Sequence, residues 1–302
     1  MSRGRAGFTL VELLAVIGIL VTLATLTAMS VQRIGKDTRL TRATNTLLNV
    51  LETARTRAIR EHKPMLVAFV VNVERVGPNP ADPIRTQWTE AVIGRLEEAL
   101  VRQPNASNDP TRQNYIDRFE PHPDFQPVRF AEGIKIAGPR TDFDQDSVWI
   151  TQPQLLNQEV GRMIGVLFGP DGSLLTRLPG GGLANAGYYR SAVMDMDRDG
   201  EQRQPDADEG AARYFNYDDL EDESSVQMCQ FLAVFDDKSA RETYDPSNWR
   251  GQSGGTFQPG ADCSTYGEGQ ERMRCEQSRF INQFADRIFI NRNTGRAEVR
   301  QR

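Results

Sequence analysis

The most apolar stretch of the chain runs from Phe8 to Ser30, reads FTLVELLAVIGILVTLATLTAMS and follows a short basic leader, MSRGRAG. Glu12 is its only charged residue. At a rise of about 1.5 Å per residue, a helix of this length covers about 34 Å, slightly more than the roughly 30 Å hydrocarbon core of a bilayer. The composition therefore predicts a membrane-spanning half of a helix over residues 8–30.

Charge is divided unevenly along the chain. The 302 residues carry 36 Lys and Arg against 41 Asp and Glu, a formal charge of −5, yet residues 1–64 alone carry +6 and residues 65–302 carry −11. By the positive-inside rule, Arg3 and Arg5 favour a cytoplasmic N-terminus and an external position for the acidic remainder. Such a remainder disfavours nucleic acid as a partner, since phosphate affinity comes largely from clustered cations.

Glu12 is the most informative single residue of the apolar stretch. An ionised carboxylate in hydrocarbon costs roughly 2.5 kcal/mol or more, so acids at such positions usually mark function and have a partner. The stretch itself contains no cation. The partner is therefore expected to come from another molecule or from a newly created N-terminus.

The residues from Gly7 to Leu14, GFTLVELL, resemble the N-terminal signal of type IV pilins and type II secretion pseudopilins. The resemblance implies that residues 1–7 are a leader, that a prepilin peptidase cuts after Gly7, and that the new N-terminal Phe8 is methylated. It also implies that Glu12 pairs with the N-terminal amine of a neighbouring subunit during assembly. The alternative interpretation is a plain signal anchor with an isolated glutamate.

Beyond Ser30, apolar residues continue at helical spacing and predict that residues 31–64 form the amphipathic half of the same helix. The helix should stop at Pro64, because proline disfavours helix in the residue before it. Residues 65–302 would form a periplasmic β-rich head. The predicted fold class is α+β and pilin-like, with a long N-terminal helix, membrane-embedded in its first half, packed on an antiparallel β-sheet head.

The head begins with Met65–Val73, whose β-branched and apolar residues predict a buried strand. The AlaArgThrArgAlaIle sequence at 54–59, just before this strand, resembles the GspH/FimT-type minor pseudopilins. Further strands are predicted at Val128–Ile136, Ser147–Thr151 and Val226–Phe235, and hairpins at Gly165–Leu178 and Arg287–Arg300. Insertions are expected at about 77–127 and 179–225, and the first contains a predicted amphipathic helix, Thr89–Arg102.

A segment of the second insertion has the spacing of a calcium-binding loop. Acidic oxygens occupy loop positions 1, 3, 5 and 12, glycine at position 6 permits the sharp turn, and the backbone carbonyl at position 7 is a further ligand. The proposed ligands are Asp195, Asp197, Asp199, Glu201 and Asp206, with Gly200 as the glycine. A structural Ca²⁺ is expected there; the alternative is a solvated acidic turn, because the surrounding residues are acidic too.

Three cysteines, Cys229, Cys263 and Cys275, lie in the part of the chain predicted to be external, where disulfides persist. Three single pairings are open, and Cys263–Cys275, which closes a short loop, is preferred. Cys229 falls in a predicted strand and would then be a buried free thiol.

Enzymatic function is disfavoured, because the only histidines, His62 and His122, have no Cys or carboxylate at metal-ligand spacing and suggest no nucleophile–His arrangement. The sequence predicts a minor pilin or pseudopilin, cleaved by prepilin peptidase and assembled into a type II secretion pseudopilus or a type IV pilus-like filament. The implied partners are other pilins or pseudopilins, the peptidase and an inner-membrane assembly platform. The implied localisation is the bacterial inner membrane, single-pass, with a cytoplasmic N-terminus and a periplasmic, filament-incorporated head.

Alternatives remain open at this point. A pilus-tip adhesin or a DNA-uptake minor pilin would use the head as a binding module, and a membrane-anchored periplasmic enzyme would use carboxylates such as Asp195, Asp197 and Asp199. A merely tethered periplasmic protein is a further possibility. The N-terminal signal is common to secretion, pilus and competence machineries and does not separate them.

Overall fold

The computed structural model describes residues 10–77, 84–103, 113–140, 148–150, 162–176, 188–196, 202–203, 214–215, 223–249, 263–266 and 269–300. The chain divides into two compact units, Met1–Arg42 and Ala43–Arg302.

Helix α1 runs from Leu10 to Glu61 and crosses the boundary between the units. In the second unit its buried residues recur every three or four positions, which places them on one face of the helix. They are Ala43, Leu47, Val50, Leu51, Ala54 and Ala58. The helix ends three residues before Pro64, and His62 follows it with a positive φ of 52°.

The other described elements follow α1 in this order. The strands are β1 (Met65–Arg75), β2 (Ile84–Gln103), β3 (Gln113–Pro121), β4 (Val128–Arg129), β5 (Ile134–Arg140), β6 (Val148–Ile150), β7 (Arg162–Phe168), β8 (Leu174–Leu175), β9 (Tyr188–Asp195), β10 (Gln202–Arg203), β11 (Tyr214–Phe215), β12 (Glu223–Met228), β13 (Phe231–Asp236), β14 (Asp286–Ile290) and β15 (Ala297–Arg300). Helices α2 (Asp237–Thr243) and α3 (Gln270–Phe284) lie between β13 and β14.

Six strands close into a barrel in the order β1, β2, β3, β9, β12 and β7, with β7 pairing back to β1. The pairs β3–β9 and β12–β7 are parallel and the other four are antiparallel. Alternate residues of the strands face inward. The buried side chains of this interior cluster are Leu66, Ala68, Val92, Phe119, Met163, Leu167, Ala192, Met194, Val226 and Met228.

A second, fully antiparallel sheet has the order β15, β14, β13, β5 and β6. The chain moves from the barrel to this sheet at Cys229, whose N–H donates to the Gly165 carbonyl at 2.7 Å. A Cβ added to Gly138 of β5 would collide with the Cys229 Sγ and lie 3.5 Å from Ile164. The second sheet therefore packs closely against the outside of β7.

These observations contradict the predicted fold class. The head is not one antiparallel sheet packed by a long pilin-like helix, because six strands with mixed pairing close on themselves and a second sheet packs outside them. The physical reason lies in the closure. The inner faces of a closed sheet cover one another, so its core needs no helix.

The predicted helix at Thr89–Arg102 is also wrong, because these residues lie within strand β2. Ala91, Val92 and Ile93 are consecutive and all buried, which is typical of a strand covered on both faces. Two long-range pairings, with β1 and β3, override the local helical pattern. Residues 77–127, predicted as an insertion, thus supply β2 and β3 of the barrel.

In the described part of the chain, no helix combines the length and the apolar character needed to cross a membrane. This finding contradicts the predicted membrane-spanning segment at residues 8–30. It contradicts equally the single-pass inner-membrane localisation with a cytoplasmic N-terminus and a periplasmic head. The prediction rested on the length and apolar composition of residues 8–30, whereas the described helix begins only at Leu10 and continues through Glu61 with many charged residues.

Candidate functional site

The first unit exposes a continuous apolar surface on α1. Its large side chains are solvent-accessible in the structure, and Leu10 and Val11 are more than 70% exposed. The members of this α1 apolar surface are Leu10, Val11, Leu13, Leu14, Val16, Ile17, Ile19, Leu20, Val21 and Leu23. At about 100° per residue these positions surround the helix. A helix that is apolar all round is normally covered on every side, so this surface is a candidate interaction site.

Three threonine hydroxyls described along this stretch of α1 are satisfied within the helix. The hydroxyls of Thr22, Thr25 and Thr27 donate to backbone carbonyls of the preceding turn at 2.8, 2.5 and 2.8 Å. Buried hydroxyls without partners would cost free energy. Apolar partners can therefore cover these threonines without leaving their donors unpaired.

The predicted processing residues Gly7 and Phe8 lie outside the described residues. Glu12 falls within the range of α1, but its side chain is also outside the described part. Cleavage after Gly7 and the pairing of Glu12 therefore stay predictions.

Asp195, the first predicted calcium ligand, is fully buried at the end of β9. Its Oδ2 lies 3.4 Å from Nη1 of Arg118, whose Nη2 lies 3.4 Å from Oε1 of Glu120. Arg95, which pairs across the strands with Glu120, is 3.4 Å from Glu97. Phe119 points into the barrel, so these five residues, the Arg118 cluster, occupy the outer face of β2, β3 and β9.

The surroundings of Glu120 in the Arg118 cluster raise the pKa of its carboxyl. Burial raises the pKa of this carboxyl, and the negative charges of Glu97 and Asp195 raise it further. The guanidinium groups of Arg118 and Arg95 act in the opposite direction but do not cancel the increase. The cluster therefore contains a carboxyl whose ionisation is disfavoured by its surroundings.

The predicted calcium site is only partly within the described chain. Asp197, Asp199, Glu201 and Asp206 are outside it, and the described residues contain no group of three or more His, Cys, Asp or Glu that could hold a metal ion. Asp195 is engaged with Arg118, which already supplies a positive charge to its carboxylate. Calcium would compete with this guanidinium for one of its ligands.

The structure joins Cys263 and Cys275 in a disulfide, with Cα atoms 5.6 Å apart, and leaves Cys229 as a buried free cysteine. This is the pairing preferred from the sequence. Burial raises the pKa of the Cys229 thiol to about 12. The thiol therefore stays protonated near neutral pH and is a poor nucleophile.

The sequence did not reveal a buried ionic network around Asp237, the first residue of α2. Its carboxylate lies 3.3 Å from Nζ of Lys135 and accepts a hydrogen bond from Nε of Arg241 at 2.8 Å. Burial lowers the pKa of Lys135; burial alone would raise that of Asp237, but the two cations hold it below its ordinary value. The only local sequence signal for this network is the pair of consecutive acids at 236–237, of which Asp236 caps α2.

His122 joins the last turn of α1 to the loop after β3. Its Nδ1 accepts the backbone N–H of Asp124 at 3.2 Å, so its Nε2 carries the proton and donates to Glu61 at 3.0 Å. The guanidinium of Arg57 lies within 3.4 Å of the carboxylates of Glu61 and Asp124, and it stacks on the ring of Phe125. These contacts hold the end of the helix against the loop after β3. They could not be predicted from the sequence, because the residues that form them are far apart in the chain.

Comparisons with family models, with curated proteins and with solved structures find no match to this chain.

Proposed function

We propose that this chain is a non-enzymatic subunit of a pilus-like filament, a minor pilin or pseudopilin that is cleaved after Gly7 and assembles through α1. The observation that carries the proposal is the α1 apolar surface. The GFTLVELL sequence at 7–14, which resembles a prepilin processing signal, directly adjoins it. The proposed partners are therefore a prepilin peptidase and the corresponding helices of other subunits.

The free energy available for assembly is large. Removing apolar surface from water stabilises by about 25 cal/mol per Å², so covering ten side chains of this size contributes on the order of 10 kcal/mol before entropic costs. Because the surface surrounds the helix, a single docked partner would leave part of it in water. A bundle with several neighbouring helices satisfies it better than a dimer.

Glu12 would supply the register in such a bundle. Apolar contacts are non-directional and allow helices to slide along one another. A carboxylate among apolar side chains needs a cation, and cleavage after Gly7 would create one at the amine of Phe8. Pairing with the amine of a neighbouring subunit would favour one axial offset over others.

Processing is tested by intact mass and N-terminal analysis after co-expression with an active prepilin peptidase. We expect a mature chain that begins at N-methyl-Phe8. Gly7→Ala should block cleavage, and Gly4→Ala, which changes the other glycine of the leader, should leave it unaffected. A wild-type chain that still begins at Met1 or Ser2 would overturn the proposal.

Assembly is tested separately with Glu12→Ala, which should be processed normally but fail to enter filaments. Glu12→Gln should show the same defect, because a neutral amide cannot neutralise an ammonium group. Glu52→Ala is the matched control, since Glu52 lies on the same helix, is exposed, and pairs with Arg55. Normal incorporation of the Glu12 variants would disprove the register role.

A further inference from the structure

Strand β15 is the outermost strand of the second sheet, and no described strand pairs with its free edge. The strand consists of Ala297, Glu298, Val299 and Arg300. Val299 is 37% exposed. A free edge presents backbone donors and acceptors that another strand can use.

The hydrogen-bond phase of the β14–β15 hairpin determines which residues face this edge. Asn291 donates its backbone N–H to the Arg296 carbonyl at 2.8 Å. In an antiparallel pair, hydrogen-bonded and non-bonded positions alternate. The Glu298 and Arg300 backbones therefore bond inward to β14, whereas the N–H and carbonyl of Val299 point outward. The backbone of Ile290 fits the same alternation, because its N–H donates to the Gln230 carbonyl on the β13 side and not toward β15.

The edge is complementary to itself when two copies run antiparallel about Val299. Val299 then lies opposite the partner's Val299, and both residues present outward N–H and carbonyl groups for a mutual pair of hydrogen bonds. Glu298 lies opposite the partner's Arg300, and Arg300 opposite the partner's Glu298. Opposite charges at directly facing positions stabilise a strand pair.

The side chains next to this edge also favour an incoming acid. Arg300 faces Arg287 directly across the hairpin, and like charges at such positions repel. Arg300 stacks over Phe289 at 4.6 Å, while Arg287 donates to the Asn282 carbonyl. The partner's Glu298 would bring negative charge to this pair of cations.

We propose that two copies of this chain associate through antiparallel pairing of their β15 strands about Val299, so that the two second sheets become continuous. This contact does not depend on α1 or on processing. A four-residue strand buries much less than the roughly 800 Å² per partner of a standard interface. The dimer is therefore concentration-dependent.

Cysteine cross-linking of the full chain tests the pairing. Facing hydrogen-bonded residues have Cα atoms about 5.5 Å apart, within the range of a disulfide. Val299→Cys should give a covalent dimer under mild oxidation. Val76→Cys is the matched control: Val76 is 71% exposed and distant in sequence, so cross-linking there measures disulfide formation by random collision of exposed cysteines. Equal yields for the two variants, or no dimer with Val299→Cys, would overturn the proposal.

Charge exchange provides a second test with its own control. In the Val299→Cys background, Glu298→Arg and Arg300→Glu should each lower the dimer yield several-fold, because like charges then face each other. The combination of both changes should restore it. Failure of the double change to recover the yield, with monomer melting temperatures unchanged, would contradict the register.

Val299→Pro separates pairing from folding. The Val299 N–H is not used within the hairpin, so a proline there is tolerated at the edge. The variant should keep the wild-type melting temperature and, in sedimentation velocity, lose the concentration-dependent dimerisation that we expect of the wild type. Unchanged dimerisation would exclude β15 as the contact.

Discussion

The two units use the same kinds of residue in opposite ways. In the first, the leucines, valines and isoleucines of α1 are exposed around the helix, whereas in the second Leu66, Val92 and Phe119 are buried inside the closed barrel. The barrel strands cover one another, but a lone helix cannot cover itself. The second unit therefore buries its own core, and the first leaves its apolar side chains exposed.

The largest expected contrast in stability comes from replacing one apolar side chain in each unit with alanine. Phe119→Ala should destabilise by about 3–5 kcal/mol in urea unfolding, because it leaves a cavity in the barrel. Leu20→Ala should change the stability of the isolated chain by less than about 0.5 kcal/mol, because this side chain is exposed. Its effect should appear in assembly instead. Similar stability losses for both variants would remove the contrast.

The disulfide should have the next largest effect and is confined to the second unit. Cys263→Ser with Cys275→Ser opens a link between residues twelve apart in sequence, and should cost about 2–4 kcal/mol. Cys229→Ser is the control, since it leaves the link intact; its own cost should reflect only a buried polar group. An oxidised-to-reduced comparison of the wild type by thermal melting should reproduce the double variant.

A smaller, pH-dependent effect is expected from Glu120. A carboxyl whose folded-state pKa is raised contributes stability below its unfolded pKa and loses it as pH rises through the folded pKa. Glu120→Gln should therefore unfold at higher urea than the wild type near pH 7, with the gain disappearing below about pH 4. Glu52→Gln, at an exposed position, should show no such gain. An equal gain at all pH values would refute the electrostatic cause.

The smallest effect expected is that of calcium, which would bind the loop from Asp195 to Asp206. We expect Ca²⁺ to raise the melting temperature slightly and EDTA to reverse the change. Asp199→Asn should abolish the response, and Arg118→Gln should strengthen it by releasing Asp195 from its ion pair. No response in the wild type or in Arg118→Gln would favour the solvated acidic turn.

Local features of the head were largely predictable. The turn after β7 needs glycine at Gly172, with φ of 77°, and the last hairpin needs it at Gly295, with φ of 64°. Each is a position where a side chain would be strained, so the residue type itself marks the turn. The Cys263–Cys275 pairing was likewise preferred from spacing and is the one in the structure.

Features that depend on distant contacts were not predictable. Val226–Phe235 was expected to be one strand, but Cys229 and Gln230 break it into β12 in the barrel and β13 in the second sheet. Nothing local signals this change, because both halves are apolar. The approach of Arg118 to Asp195 likewise results from the parallel pairing of β3 with β9.

The end of α1, the tight turns and the apolar stretch of α1 could be derived from the sequence alone, because each depends on the properties of a few adjacent residues. Long-range contacts, by contrast, make β2 a strand, close six strands into a barrel and place Asp195 beside a guanidinium rather than in solvent. These outcomes depend on the free energy of contacts between residues far apart in the chain. Local propensities of a few tenths of a kcal/mol are too small to decide them.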